Sequence, residues 1–69
     1  MSFQIYVRVE GRPGYFQAFT WRRLPRNGIE RALAEGPKFG HTIIGAFAKD
    51  TAQDKIVASW NHKHGHKAF

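Results

Sequence analysis

The chain has 69 residues and a formal net charge of +6, and it carries ten aromatic residues (six Phe, two Tyr, two Trp) and no cysteine. That length allows one small domain. The absence of cysteine excludes a disulfide framework and a thiolate metal site, so stability must come from packing. A domain this small has too little interior to hide ten large rings, and rings left outside beside arginines make a surface suited to nucleic acid.

Residues 3–9, Phe3-Gln4-Ile5-Tyr6-Val7-Arg8-Val9, alternate with period two and predict a half-buried strand with Phe3, Ile5, Val7 and Val9 on one face. Gly11-Arg12-Pro13-Gly14 supplies a turn, and residues 15–22 (YFQAFTWR) predict a second strand, antiparallel to the first. Leu24 and Pro25 break that strand, and Asn27 with Glu30 reads as a capping box opening a helix of about eight residues that ends at Gly36-Pro37. Its apolar positions are Ile29, Ala32 and Leu33. So short a helix must lie against the sheet.

Residues 41–49 (HTIIGAFAK) predict a third strand, with Gly45 marking a bulge or a close approach of the helix. A polar turn follows at 50–54, and residues 55–60 (KIVASW) predict a fourth strand. The expected fold is therefore α+β in ββαββ order, a mainly antiparallel sheet of three or four strands with one short helix on one face. The compact domain is expected over residues 1–60. Residues 61–69, rich in His and Lys and free of acidic residues, are expected to form a flexible basic tail.

Four features bear on function. The first is the face of the hairpin carrying Tyr6 and Arg8, and it depends on register. A two- or four-residue loop places Tyr15, Gln17, Phe19 and Trp21 on that face, an aromatic platform with a cation on it that stacks unpaired bases. A three-residue loop reverses the second strand and buries Phe19 and Trp21 with Ile5 and Val7. The sequence leaves both registers open.

The second feature is Arg22, Arg23 and Arg26, leading into the helix start, where bidentate guanidinium contacts and free N–H groups both favour phosphate. The alternative is a loop kept solvated by its charge. The third is His62, His64 and His66, which in an extended tail lie on one side; without a fourth ligand on a closed frame no physiological metal site is expected, and the tail reads as pH-tunable charge. The fourth is Gly11-Arg12-Pro13, which resembles the core of the AT-hook over three residues. Glu10 before it and Gly14-Tyr15 after it fit a hairpin turn better. Lys38-Phe39-Gly40-His41 does not reproduce the basic-Gly-aromatic-Gly-aromatic core of the RNA-recognition motif.

No pair of carboxylates spans an evident cleft, neither serine has a nucleophile-elbow context, and there is no glycine-rich phosphate loop, so a non-catalytic protein without cofactor is expected. The reading is a small basic nucleic-acid-binding accessory or regulatory protein, single strands slightly preferred, with Arg8, Arg22, Arg23, Arg26, Lys38, Tyr6, Phe19 and Trp21 as contacts. The alternative is a protein-interaction module, of the kind phages and mobile elements encode as inhibitors or adaptors, docking a host protein through an aromatic-arginine patch. No signal-peptide pattern or membrane-length apolar run is present, and a cytoplasmic location is expected.

Overall fold

The computed structural model describes residues 2–68. Five strands and one helix follow in the order β1 (Phe3–Val9), β2 (Phe16–Trp21), α1 (Pro25–Glu35), β3 (Ile43–Asp50), β4 (Lys55–Asn61) and β5 (Gly65–Ala68), with a 3-10 turn at Gly36–Phe39 between α1 and β3. All neighbouring strands are antiparallel, and the spatial order is β2-β1-β3-β4-β5. The expected three or four strands in ββαββ order are thus corrected to five, because a further hairpin follows β4. No helix among the described residues is long and apolar enough to cross a membrane.

Alternation in β1 sends Phe3, Ile5, Val7 and Val9 to the helix side, where all four are buried. Phe3, Ile5 and Val7 join Ile29 and Ala32 of α1, Ala46 and Ala48 of β3, and Ala58 of β4 in one core cluster. Three alanines beneath the helix leave room for its backbone to approach the sheet. Ile5 and Ile29, both 0% exposed, form the centre of this core. The approach is close at Gly28, where a Cβ would stand 2.7 Å from Ile5 Cδ1 and 2.8 Å from the Trp21 ring.

Helix α1 begins at Pro25 rather than beyond Asn27. Proline fits the first helical position because its missing N–H has no intrahelical partner there. Leu24 occupies the N-cap without a side-chain hydrogen bond, so the expected capping box of Asn27 and Glu30 does not form. Glu30 instead pairs with Arg26, one helical turn earlier, at 3.4 Å.

The β1–β2 register changes within the strand. Val7 faces Phe16 and Tyr6 faces Gln17, but after a bulge Ile5 faces Phe19 and Phe3 faces Trp21. The extra residue is Ala18, and each side chain beyond it moves to the other face. Tyr6 and Gln17 therefore share the side away from the helix. Phe19 and Trp21 turn to the helix side, pack against the core, and stand edge-to-face at 5.9 Å. A single-register hairpin cannot describe both halves.

Of the segment expected to be a flexible tail, residues 61–68 instead fold back along β4, and Phe69 lies outside the described residues. Asn61 organises the reversal, its Oδ1 accepting from the Lys63 amide at 2.8 Å and its carbonyl from the His64 amide at 3.2 Å. Strand β5 then pairs Gly65 with Asn61, His66 with Trp60, Lys67 with Ser59 and Ala68 with Ala58. At the other end of β4, buried Asp50 sets the β3–β4 turn by accepting from the amides of Ala52 (2.8 Å) and Gln53 (3.2 Å).

Candidate nucleic-acid interface

The helix covers one side of the sheet, and the other side carries the remaining positions of each strand, with parity switching at the bulges in β2 and β4. Cross-strand pairing arranges this side in rows. The central row runs Gln17, Tyr6, Phe47, Ser59, Lys67 from edge to edge. A second contains Thr20, Gln4, Lys49 and Ile56, and a third contains Arg8, Gly45, Asn61 and Gly65. None of these thirteen positions is a carboxylate.

Aromatic side chains occupy the middle of this surface. The Tyr6 and Phe47 rings stack at 4.8 Å with 7° between their planes, and Tyr15 meets Phe47 in an edge arrangement at 5.0 Å. Tyr15 lies just outside β2 and reaches across β1 to β3, where its hydroxyl occupies the space a Cβ of residue 45 would need, 2.8 Å away. Gly45 is therefore the floor on which Tyr15 lies. The close approach foreseen at Gly45 comes from this tyrosine rather than from the helix, and a bulge lies beside it, between Arg8 and Val9 in the β1–β3 register.

Phe47 is engaged by both tyrosines, whereas Tyr6 and Tyr15 each contact one ring, and Tyr15 is 46% exposed. The two tyrosines thus retain ring surface for a further planar group. Tyr6 also donates from its hydroxyl to Gln4 Oε1 at 3.1 Å, which fixes the ring's tilt.

Two cations flank the rings. Arg8 is exposed and makes no salt bridge among the described residues. The Lys49 ammonium lies 2.7 Å from Asp54 Oδ1, and this hydrogen bond together with the attraction of the carboxylate raises its pKa above the usual 10.5. Lys49 therefore stays protonated throughout the neutral range. Asp54 reaches it from the β3–β4 turn.

The arginines adjacent in sequence diverge in space. Arg22 lies beside Ser2, Thr51 and Ala52 at one end of the sheet, and Arg23 beside Trp21, Arg31 and Phe39 along the helix side of β2. Arg26 lies near Ala58 and His66 and pairs with Glu30. Lys38 is 4.0 Å from Glu35 at the far end of the helix. Of the expected contacts, the fold brings Tyr6 and Arg8 together on the open face. It places Phe19, Trp21, Arg23, Arg26 and Lys38 elsewhere, and Arg22 at the sheet's end.

Phe47, Tyr15 and Lys49 complete the site, and neither Phe47 nor Lys49 was foreseen. The signal for Phe47 lay in the pattern Ala46-Phe47-Ala48, since two small residues that admit a helix on one face leave the ring between them on the other. The histidines do not assemble: among the described residues no three His, Asp or Glu side chains form a group able to hold a metal. His62 Nδ1 lies 2.9 Å from the Ile44 carbonyl oxygen. Comparison with family models, curated proteins and solved structures finds no match, so the interface rests on the geometry of this chain alone.

Proposed function

We propose that the chain is a non-catalytic, single-stranded nucleic-acid-binding protein that uses the open face of its sheet. The observation that carries this reading is the row of three rings at the centre of a helix-free face, bordered by Arg8 and Lys49 and by uncharged hydrogen-bonding side chains, Gln4, Gln17, Ser59 and Asn61. Bases stack on exposed aromatic surface with little regard for sequence, and cations take the phosphates. Tyr6 and Tyr15 are the stacking residues, and Phe47 packs against both. Single strands are favoured over duplex because α1, the one α-helix among the described residues, has one flank committed to the core and its charged residues Arg26, Glu30, Arg31 and Glu35 paired with one another.

The test is the salt dependence of binding to fluorescein-labelled oligothymidylate and oligouridylate. Affinity falls linearly on a log–log plot, and replacing Arg8 with alanine flattens the slope by about 1 unit. Failure of either oligonucleotide to bind at low salt refutes the reading.

A further inference from the structure

On the helix side of the molecule, β2 forms an exposed edge of the sheet, with only β1 beside it. Alongside it runs an apolar seat of about 190 Å³ walled by Val9, Phe16, Ala18, Phe19, Phe39 and Ile43. Phe39 at its rim is 72% exposed and Phe16 39%. The seat continues into an open groove between Trp21, Arg23, Arg31 and Phe39. These side chains lie across the sheet from Tyr6 and Phe47.

Charge decides what fits there. Residues 11–29 contain four arginines (Arg12, Arg22, Arg23, Arg26) and no acidic residue, and β2 lies in the middle of them. Arg12 stands in the turn before the strand, and Arg22 and Arg23 directly after it. Among the described residues none of these three makes a salt bridge. The groove's one carboxylate, Glu35, is held by Arg31 at 3.1 Å and Lys38 at 4.0 Å.

We propose that the β2 edge is a docking site for an extended acidic peptide segment of a partner protein. Such a segment adds a sixth strand to the sheet, places one large apolar side chain in the seat beside Phe16 and Phe39, and meets Arg12 and Arg23 with its carboxylates. Main-chain hydrogen bonds along a free edge supply affinity, and a side-chain pocket supplies selectivity. A second copy of this chain is a poor occupant. Antiparallel pairing of two β2 edges brings Arg12 of one copy against Arg22 and Arg23 of the other, and both copies carry +6. This site is independent of the open-face reading, and the two can fail separately.

The probe is a capped ten-residue peptide alternating Asp or Glu with Leu and Phe, with a control in which Lys replaces every acidic residue. Titration into the ¹⁵N-labelled protein should shift the amides of β2 and of Phe39 while leaving Phe47 and Ser59 in place. Phe39→Ala, an exposed change compatible with folding, should weaken the acidic peptide about fivefold or more. Arg23→Glu should weaken it further and favour the control. Equal shifts from both peptides, shifts confined to the open face, or no shift at about 1 mM peptide would overturn the proposal. So would a concentration-dependent dimer abolished by Phe39→Ala, which would make the edge a self-pairing one, or protection of the β2 amides by oligouridylate instead of peptide.

Discussion

Replacing Ile29 with alanine probes the contact that joins helix to sheet. Ile29 is 0% exposed and packs in the cluster of Phe3, Ile5, Val7, Ala46, Ala48 and Ala58. The alanines around it have no longer side chain with which to fill the space, so the cavity persists and the loss lies at about 3 kcal/mol or above, within the usual span of about 2 to 5. A domain of this size has a total stability of roughly 3 to 10 kcal/mol. With about 2.1 cal/mol/K of unfolding entropy per residue, a 3 kcal/mol loss lowers Tm by roughly 20 °C. Thermal and urea unfolding followed by far-UV circular dichroism reads this directly. Ile29→Val should cost only about 0.5 to 1.5 kcal/mol, and Phe39→Ala, at the exposed rim, within about 0.5 kcal/mol. An Ile29→Ala loss no larger than that of Phe39→Ala would show that the helix docks by another face.

Further outcomes follow from the turns and the open face. Asp50→Ala removes the side-chain acceptor for two amides of an exposed turn and should cost about 0.5 to 1.5 kcal/mol, whereas Asp50→Asn, which keeps an oxygen there, should cost clearly less; equal losses would contradict the turn's assignment. The raised pKa of Lys49 gives a stabilising contribution fully present below 10.5 and lost as pH climbs through the folded value. NMR titration of the Lys49 side chain should therefore show a higher midpoint in the native protein than in Asp54→Asn, and coincident midpoints would refute the pairing. Truncation after Asn61 removes β5 and exposes the edge of β4, so it should lower Tm and raise self-association; an unchanged Tm would mean that β5 contributes nothing to the fold.

Some of this architecture was legible in the sequence because it depends on local pattern. Strand β1 shows its period-two alternation without interruption, and its odd positions are the buried ones. Ile29 and Ala32 lie at helical spacing and both reach the core. Other features arise from contacts distant in sequence. The bulge at Ala18 exists because Phe16 and Phe19 both find apolar partners on the helix side, Val7 and Ile5, and no periodicity within YFQAFTW announces it. Strand β5 consists of Gly-His-Lys-Ala, with no β-branched residue; it is a strand because Asn61 closes a turn that lays it against β4. The arginine cluster misled for a related reason. Adjacent residues leaving a strand and entering a helix point in different directions, so a run of three in sequence became three separate surfaces.

The open face also explains why the aromatic count is high for so small a chain. The helix side absorbs Phe3, Phe19, Trp21 and Trp60, while Tyr6, Tyr15 and Phe47 pack with one another on the helix-free side. A ring cluster outside the core stabilises less than a buried one. Its polar surroundings of Gln, Ser, Asn, Lys and Arg suit a ligand that is flat in places and anionic in others.

The most direct measurement is a titration of ¹⁵N-labelled protein with oligouridylate at low salt, run in parallel on the Tyr15→Ala and Tyr6→Ala variants. The proposed interface predicts shifts at Gln4, Tyr6, Arg8, Gly45, Phe47 and Ser59, and a loss of about 1 to 3 kcal/mol of binding free energy for each tyrosine removed. Shifts confined to the helix and the β2 edge, or affinity unchanged in both variants, would contradict it.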